Sequence, residues 1–184
     1  MIIRDLTPSD WARIHPFFTE IVAAGDSYAY PDDLSPAAAH ALWTAPGHTV
    51  VAVDDAGAGG AGDVVATATM GPNRPGRGDH VATGSFMVDP RHAGRGIGRM
   101  LGEHLVDWAT GRGFRAIQFN AVVETNSAAV HLWRSLGFEI LATVPEAFRH
   151  RERGLVGLHI MHRTLGPIAA DSSRSATAPP PTAR

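Results

Sequence analysis

The stretch RHAGRGIGRML, residues 91–101, places Gly94, Gly96 and Gly98 among Arg91, Arg95 and Arg99. It sits where a strand-like run gives way to a helical period. Upstream, HVATGSFMV (residues 80–88) reads as a strand. Downstream, Ile97, Leu101, Leu105, Trp108 and Ala109 form one apolar stripe, which predicts a helix from about Gly96 to Gly111. A strand, a glycine-rich turn and a helix start together suit an anion. The first helical turn leaves N–H groups unpaired and carries the positive end of the helix dipole. Arginines there add charge-assisted contacts. A glycine-rich turn with solvated arginines has the same signature, so the loop alone leaves both readings open.

Three anion-binding loops compete. A Walker loop requires a lysine, and all sixteen basic residues of this chain are arginine. A dinucleotide fingerprint needs Gly-x-Gly-x-x-Gly after the first strand of its unit and an acid at the end of the next strand. Here the spacing is Gly94-x-Gly96-x-Gly98, and Asn120 stands near the end of the next strand. The third pattern is Arg/Gln-x-x-Gly-x-Gly/Ala, and Arg91, Gly94 and Gly96 match it as they stand.

Working outward, MIIRDL predicts a first strand, and TPSDWARIHPFFTEIVAAG a helix capped by Thr7 and kinked at Pro16. GDSYAYPDD reads as a polar, aromatic loop, and Ser35-Pro36 opens a second helix through Trp43. HTVVAVDDAGAGGAGDVVATATM reads as a hairpin about a glycine-rich turn. FRAIQFNAVV is a strand. TNSAAVHLWRSLGF is a helix with Ala129, Leu132, Trp133 and Leu136 inward and Gly137 past its end. FEILATV and LVGLHIMHRTL are strands joined by a basic connection, PEAFRHRERG. From Gly166 onward the chain is rich in Ala, Ser, Pro and Thr and is expected to be disordered. The order implies a mixed α/β sheet in one domain, residues 1–165.

Composition narrows the chemistry. The chain has 184 residues, no cysteine and a net charge of −2. Disulfides and thiolate nucleophiles are therefore absent, and no strong field invites nucleic acid or an acidic membrane. No apolar run has the length of a membrane span, and the start carries no apolar signal region, so a cytoplasmic location is expected. The ten histidines show no metal spacing; His159 and His162 lie on opposite faces of one strand. No metal is expected.

Two motifs, VDPRHAGRGIGRML and ETNSAAVHLWRSLGF, resemble those of the Gcn5-related N-acetyltransferase family in order and spacing. The second matches at Asn126, Ala129, Leu132, Gly137 and Phe138 and departs at Trp133, where the family usually has tyrosine. GDSYAYPDDLSPAA resembles the phosphinothricin-type members, and FNAVVETNSAA those acting on proline analogues. The resemblance spans about Ile2 to Leu165. It implies a mostly antiparallel α+β sheet of about seven strands, helices on both faces and a splayed central cleft. It also implies acetyl-coenzyme A as donor, a small-molecule amine such as an amino acid as acceptor, and a homodimer meeting through the last strands. A peptide N-acetyltransferase and a non-catalytic acyl-coenzyme A sensor remain alternatives.

The resemblance assigns roles. Met87 and Val88 would supply backbone donors to the acyl group. Arg91, Gly94, Arg95, Gly96, Ile97, Gly98 and Arg99 would hold the pyrophosphate, and Asn126 would contact the cofactor. Tyr28 and Tyr30 would wall the acceptor pocket. Glu124 is a candidate for taking the amine proton, with a helix N-terminal charge as its alternative. Asn120 cannot be a base but can orient the acceptor or a water. Trp133 cannot protonate a leaving thiolate, since indole N–H has no accessible ionisation. Helical periodicity gives it a core role.

Overall fold

A computed structural model describes residues 1–54 and 62–166. The glycine-rich turn of the first hairpin and the tail beyond Gly166 lie outside those residues. The described elements are β1 (Ile2–Asp5), α1 (Trp11–Ala24), α2 (Pro36–Thr44), β2 (His48–Asp54), β3 (Asp63–Pro72), β4 (Val81–Val88), α3 (Ile97–Gly111), β5 (Ala116–Val123), α4 (Ser127–Ser135), β6 (Glu139–His150) and β7 (Gly154–Thr164). This is the order read from the sequence. The seven strands form one sheet, β1-β2-β3-β4-β5-β7-β6, antiparallel everywhere except between β4 and β5. Among the described residues no helix is long and apolar enough to cross a membrane.

Both faces of the central strands are covered, which is why TVVAV and VVATATM read as near-continuous apolar runs. On one face Ile14, Phe17, Phe18 and Val22 of α1 and Trp43 of α2 pack against Val51, Val53, Val64 and Met87. On the other, Ile97, Leu101 and Leu105 of α3 and Trp133 of α4 pack against Val50, Ala68, Ile117 and Phe119. Helices α3 and α4 approach closely at Gly102, where an added Cβ would lie 2.6 Å from Leu136 Cδ1 and 2.9 Å from Trp133 Cζ3.

The start of α1 differs in detail from expectation. Thr7 caps a short 3-10 turn at Pro8–Asp10, and α1 then runs unbroken through Pro16. Asp10 does more than favour a helix dipole. It is buried, accepts the Thr7 N–H at 2.8 Å and takes both terminal nitrogens of Arg4 at 2.7 and 2.8 Å. These bonds, led by Arg4, hold its carboxyl far below the usual carboxylate range. A depressed native pKa stabilises the fold fully above the unfolded-state pKa of about 4, and that contribution is lost progressively as pH falls from there through the native value. Asp10→Asn is therefore expected to cost about 1–3 kcal/mol at pH 7. Its melting temperature should also fall less than that of the wild type between pH 5 and pH 3. Parallel melting curves across that range would contradict this.

The basic connection PEAFRHRERG is mostly strand. Strand β6 continues to His150, because buried Phe148 pairs with Val156 and extends the ladder. Pro145 is tolerated at a register shift between Val144 and Phe148, on the sheet's edge strand. Glu146 takes a left-handed φ of 51° there.

Candidate active site

Strands β4 and β5 are paired only at Val81–Ala116 and Ala82–Ile117 and diverge beyond. The splayed cleft implied by the family resemblance is this gap. Strand parity decides which backbone groups face it. Asp89 N–H bonds to Val65 C=O of β3 at 2.9 Å. Odd-numbered residues at this end of β4 therefore turn their N–H groups towards β3, and Phe86 and Val88 turn theirs into the gap. Met87, expected beside Val88 as a donor, has its N–H on the β3 side and its side chain buried against α1 and α2. Phe86 was not singled out from sequence. The alternation in ATGSFMV was legible, but its phase needed the β3 register.

The chain leaves β4 through a loop that is internally braced. Asp89, only 1% exposed, accepts the Arg91 N–H at 2.9 Å and grips the Arg91 guanidinium through Nε at 2.9 and 3.1 Å and Nη2 at 2.5 Å. Arg91 holds the Asp89 carboxyl below its ordinary range. Gly94 and Gly96 then adopt left-handed φ of 76° and 77°, and a Cβ at either would meet nothing within 4 Å. The glycines are needed for backbone conformation, and the space over them is open. Gly96 is the N-cap of α3, whose first bond is Met100 N–H to Gly96 C=O at 3.1 Å. The N–H groups of Ile97, Gly98 and Arg99 consequently have no carbonyl partner within the helix. An open, glycine-lined helix start of this kind fits a pyrophosphate.

The other two arginines are also tethered. Arg95 Nη2 donates to Asp54 Oδ2 at 2.7 Å, and Arg99 Nη2 to Ser135 Oγ at 2.7 Å. Each guanidinium keeps further donors beyond the bond it makes. Asn126 is the N-cap of α4, its Oδ1 accepting Ala129 N–H at 3.1 Å, so its amide nitrogen is what remains for a ligand.

The candidate base stands elsewhere. Glu124 Oε1 accepts the Gly157 N–H at 2.5 Å, and Glu124 N–H donates to Gly157 C=O at 3.0 Å. Gly157 makes this seat, since a Cβ there would lie 2.7 Å from Glu124 Oε2. Strand β5 lies between β7 and β4, so this carboxylate is committed on the far side of β5 from the gap. The geometry does not carry its expected role as proton acceptor.

Asn120 is exposed and tied into an amide chain. Gln118 Nε2 donates to Asn120 Oδ1 at 2.8 Å, and Asn120 Nδ2 to Asn73 Oδ1 at 2.6 Å. Asn73 follows β3, so this chain reaches across β4. Tyr28 and Tyr30 stack on each other with centroids 5.4 Å apart. Tyr30 also stacks on Phe18, and Tyr28 meets the edge of Trp43. The Tyr28 hydroxyl bonds both the N–H and the C=O of Phe86. Trp133 is buried against Phe119 and Phe86, at 4.7 and 4.8 Å between centroids. The core role read from its helical period is the one it has.

Residues 13–138 match the acetyltransferase (GNAT) family. The chain belongs to that family. A GCN5-related N-acetyltransferase from Kribbella flavida is 54% identical, with a TM-score of 0.83 over 89% of this chain and 97% of that one. N-acetyltransferase aca1 of Schizosaccharomyces pombe is 38% identical over 42% of this chain and 37% of its own length. The L-amino acid N-acyltransferase MnaT of Escherichia coli is 36% identical over 36% of this chain and 38% of its own length. The chain thus spans well under half the length of these curated relatives.

Proposed function

We propose that this GNAT protein transfers the acetyl group of acetyl-coenzyme A to the amine of a small molecule, an amino acid or an analogue of one, by direct attack while both substrates are bound. When bound, acetyl-coenzyme A supplies a thioester whose carbonyl carbon an amine nitrogen attacks, forming the N–C bond as the C–S bond breaks. The residues present suit that donor. The Ile97, Gly98 and Arg99 N–H groups and the open space over Gly94 and Gly96 would hold its pyrophosphate, and Asn126 Nδ2 would add a polar contact. The gap-facing backbone of Val88 is unmatched by β5 and can align an extended, amide-bearing arm, while that of Phe86 is engaged by Tyr28. No thiol or lysine nucleophile exists in the chain, which accords with direct attack.

The observation that carries the small-acceptor reading is the cover over β4. The loop between α1 and α2 is pinned to that strand by the Tyr28 bonds and packed by the Phe18–Tyr30–Tyr28 stack. It closes one side of the gap and leaves a polar rim of Asn73, Gln118 and Asn120. Asn120 would orient the acceptor amine, and with Glu124 engaged elsewhere its proton passes to water. The name of the Escherichia coli relative points the same way. The protein is proposed to work in the cytoplasm as a homodimer. Leu141 and Val144 of edge strand β6 and Leu155 of β7 are exposed and available to the partner subunit.

The test is a matched acceptor screen read by thiol release. Free amino acids and close analogues are expected to give kcat/KM at least about tenfold above peptides bearing the same residue at their N-terminus. Peptides that outperform free amino acids would overturn the small-acceptor reading.

A further inference from the structure

Tyr28 is where the site departs from a plain splayed sheet. Phe86 faces the gap with both backbone groups, and β5 supplies neither a donor nor an acceptor at that level. The Tyr28 hydroxyl does so instead, accepting the Phe86 N–H at 3.0 Å and donating to the Phe86 C=O. A side chain from the loop between two helices thus occupies Phe86, one of the two β4 residues that turn an N–H into the gap.

Its ring is held on several sides. Tyr28 stacks on Tyr30 at 5.4 Å, and Trp43 meets it edge-on at 6.2 Å. Trp43 is itself fixed by Nε1 donating to Thr67 Oγ1 at 3.1 Å. The Tyr28 ring is therefore held against β4, and its hydroxyl is the part free to change partner. The chain has only these two tyrosines, and the helix position that the family usually fills with a third holds Trp133.

We propose that Tyr28 is a catalytic residue: its hydroxyl and the Phe86 N–H form a two-donor site for the acyl oxygen of the thioester. The two donor atoms lie 3.0 Å apart with the Phe86 N–H aimed at the Tyr28 oxygen, so one acyl oxygen comes within hydrogen-bond reach of both once the hydroxyl steps aside from that line. In the free protein the Phe86 N–H is spent on the Tyr28 oxygen and the Tyr28 O–H on the Phe86 C=O. With donor bound, the hydroxyl moves off the Phe86 N–H and swings its proton from the Phe86 C=O to the acyl oxygen, and the fixed Phe86 N–H is left to the same oxygen, so charge that develops there meets two donors. Tyr28 keeps its proton throughout. The electron pair of the broken C–S bond leaves on sulfur, which takes a proton from water, and the amine proton passes to water. Burial pushes the Tyr28 phenol well above its ordinary range, so it stays a neutral donor across the working pH.

This inference rests on the acetyl-transfer reading but not on the identity of the acceptor. Its test needs no acceptor. Acetyl-coenzyme A labelled with 13C at the thioester carbonyl is bound to wild type, Tyr28→Phe and Tyr30→Phe, and the carbonyl stretch is read by difference infrared. Calorimetry confirms occupancy in each. The wild type and Tyr30→Phe are expected to lower the stretch. Tyr28→Phe, which keeps the ring and its stacking, should bind within about threefold yet lose roughly half of that displacement. With any accepted amine, its kcat should fall at least about tenfold with little change in KM for donor. An equal displacement in wild type and Tyr28→Phe overturns the proposal, as does loss of donor binding in Tyr28→Phe. Acetyl-coenzyme A that fails to bind the wild type sinks the acetyl-transfer reading instead. A second measurement avoids altering the hydroxyl. In Tyr30→Phe, uniform 3-fluorotyrosine labels residue 28 alone, and its 19F signal should shift on adding acetyl-coenzyme A. An unmoved signal would also overturn the proposal.

Discussion

Gly96→Asp is expected to weaken acetyl-coenzyme A binding by at least about 100-fold while leaving the protein folded. Residue 96 is the N-cap of α3 at a left-handed φ of 77° with open space where a Cβ would go. Aspartate tolerates that conformation better than most residues and is a favoured N-cap, so the helix should survive. Its carboxylate would stand where the pyrophosphate is to be held. Two like charges about 4 Å apart at an effective dielectric near 20 repel by about 4 kcal/mol, and screening still leaves a hundredfold effect. Calorimetry with acetyl-coenzyme A, beside a melting curve within about 4 °C of wild type, checks both halves. Affinity that survives in a folded variant would show that the helix start holds no phosphate. Gly96→Ala separates conformation from charge. It keeps the strain, adds no charge, and should lose much less affinity.

The second large effect concerns Trp133. Its ring sits behind Phe86 of β4 and Phe119 of β5, with Phe138 at 6.0 Å and Gly102 of α3 against its edge. It therefore props both walls of the gap from the α3–α4 face. Trp133→Ala should cost about 3–5 kcal/mol. For a chain of this size that is a fall of roughly 6–20 °C in melting temperature. Denaturant unfolding at fixed pH measures it, with an unchanged slope showing that the native state is still compact. A loss below about 1.5 kcal/mol would mean that the aromatic cluster is not the prop it looks to be. Trp133→Tyr keeps most of the ring area and should cost far less.

The parts of the fold that were legible are those whose signals are local. The glycines of the 91–101 loop, the stripe of α3 and the N-cap at Asn126 all act within a few residues, and each element formed where its pattern lay. The order of elements followed from the same runs. What was hidden depends on partners distant in sequence. Glu124 reads as a base near a cleft until Gly157, thirty-three positions on, is found to seat it. That Asp54, forty-one positions away, tethers Arg95 was hidden in the same way. The length of β6 depended on Phe148 finding Val156 across the hairpin, which outweighed Pro145 as a breaker. The phase of β4, and with it the choice of Phe86 over Met87, was fixed by the β3 register. Tyr28 was recognisable as a cleft residue because it lies in an aromatic loop, but its bond to a strand backbone 58 positions away was not.

The central claim is that this sheet presents acetyl-coenzyme A to an amine through the loop at residues 91–101. Calorimetric titration of the wild-type protein with coenzyme A, and then with coenzyme A lacking the nucleotide pyrophosphate, tests it most directly. The account predicts one saturable site per chain with an affinity in the range of about 1–100 μM, and at least about a hundredfold loss for the truncated form. No heat with intact coenzyme A, or equal affinity for both forms, would contradict it.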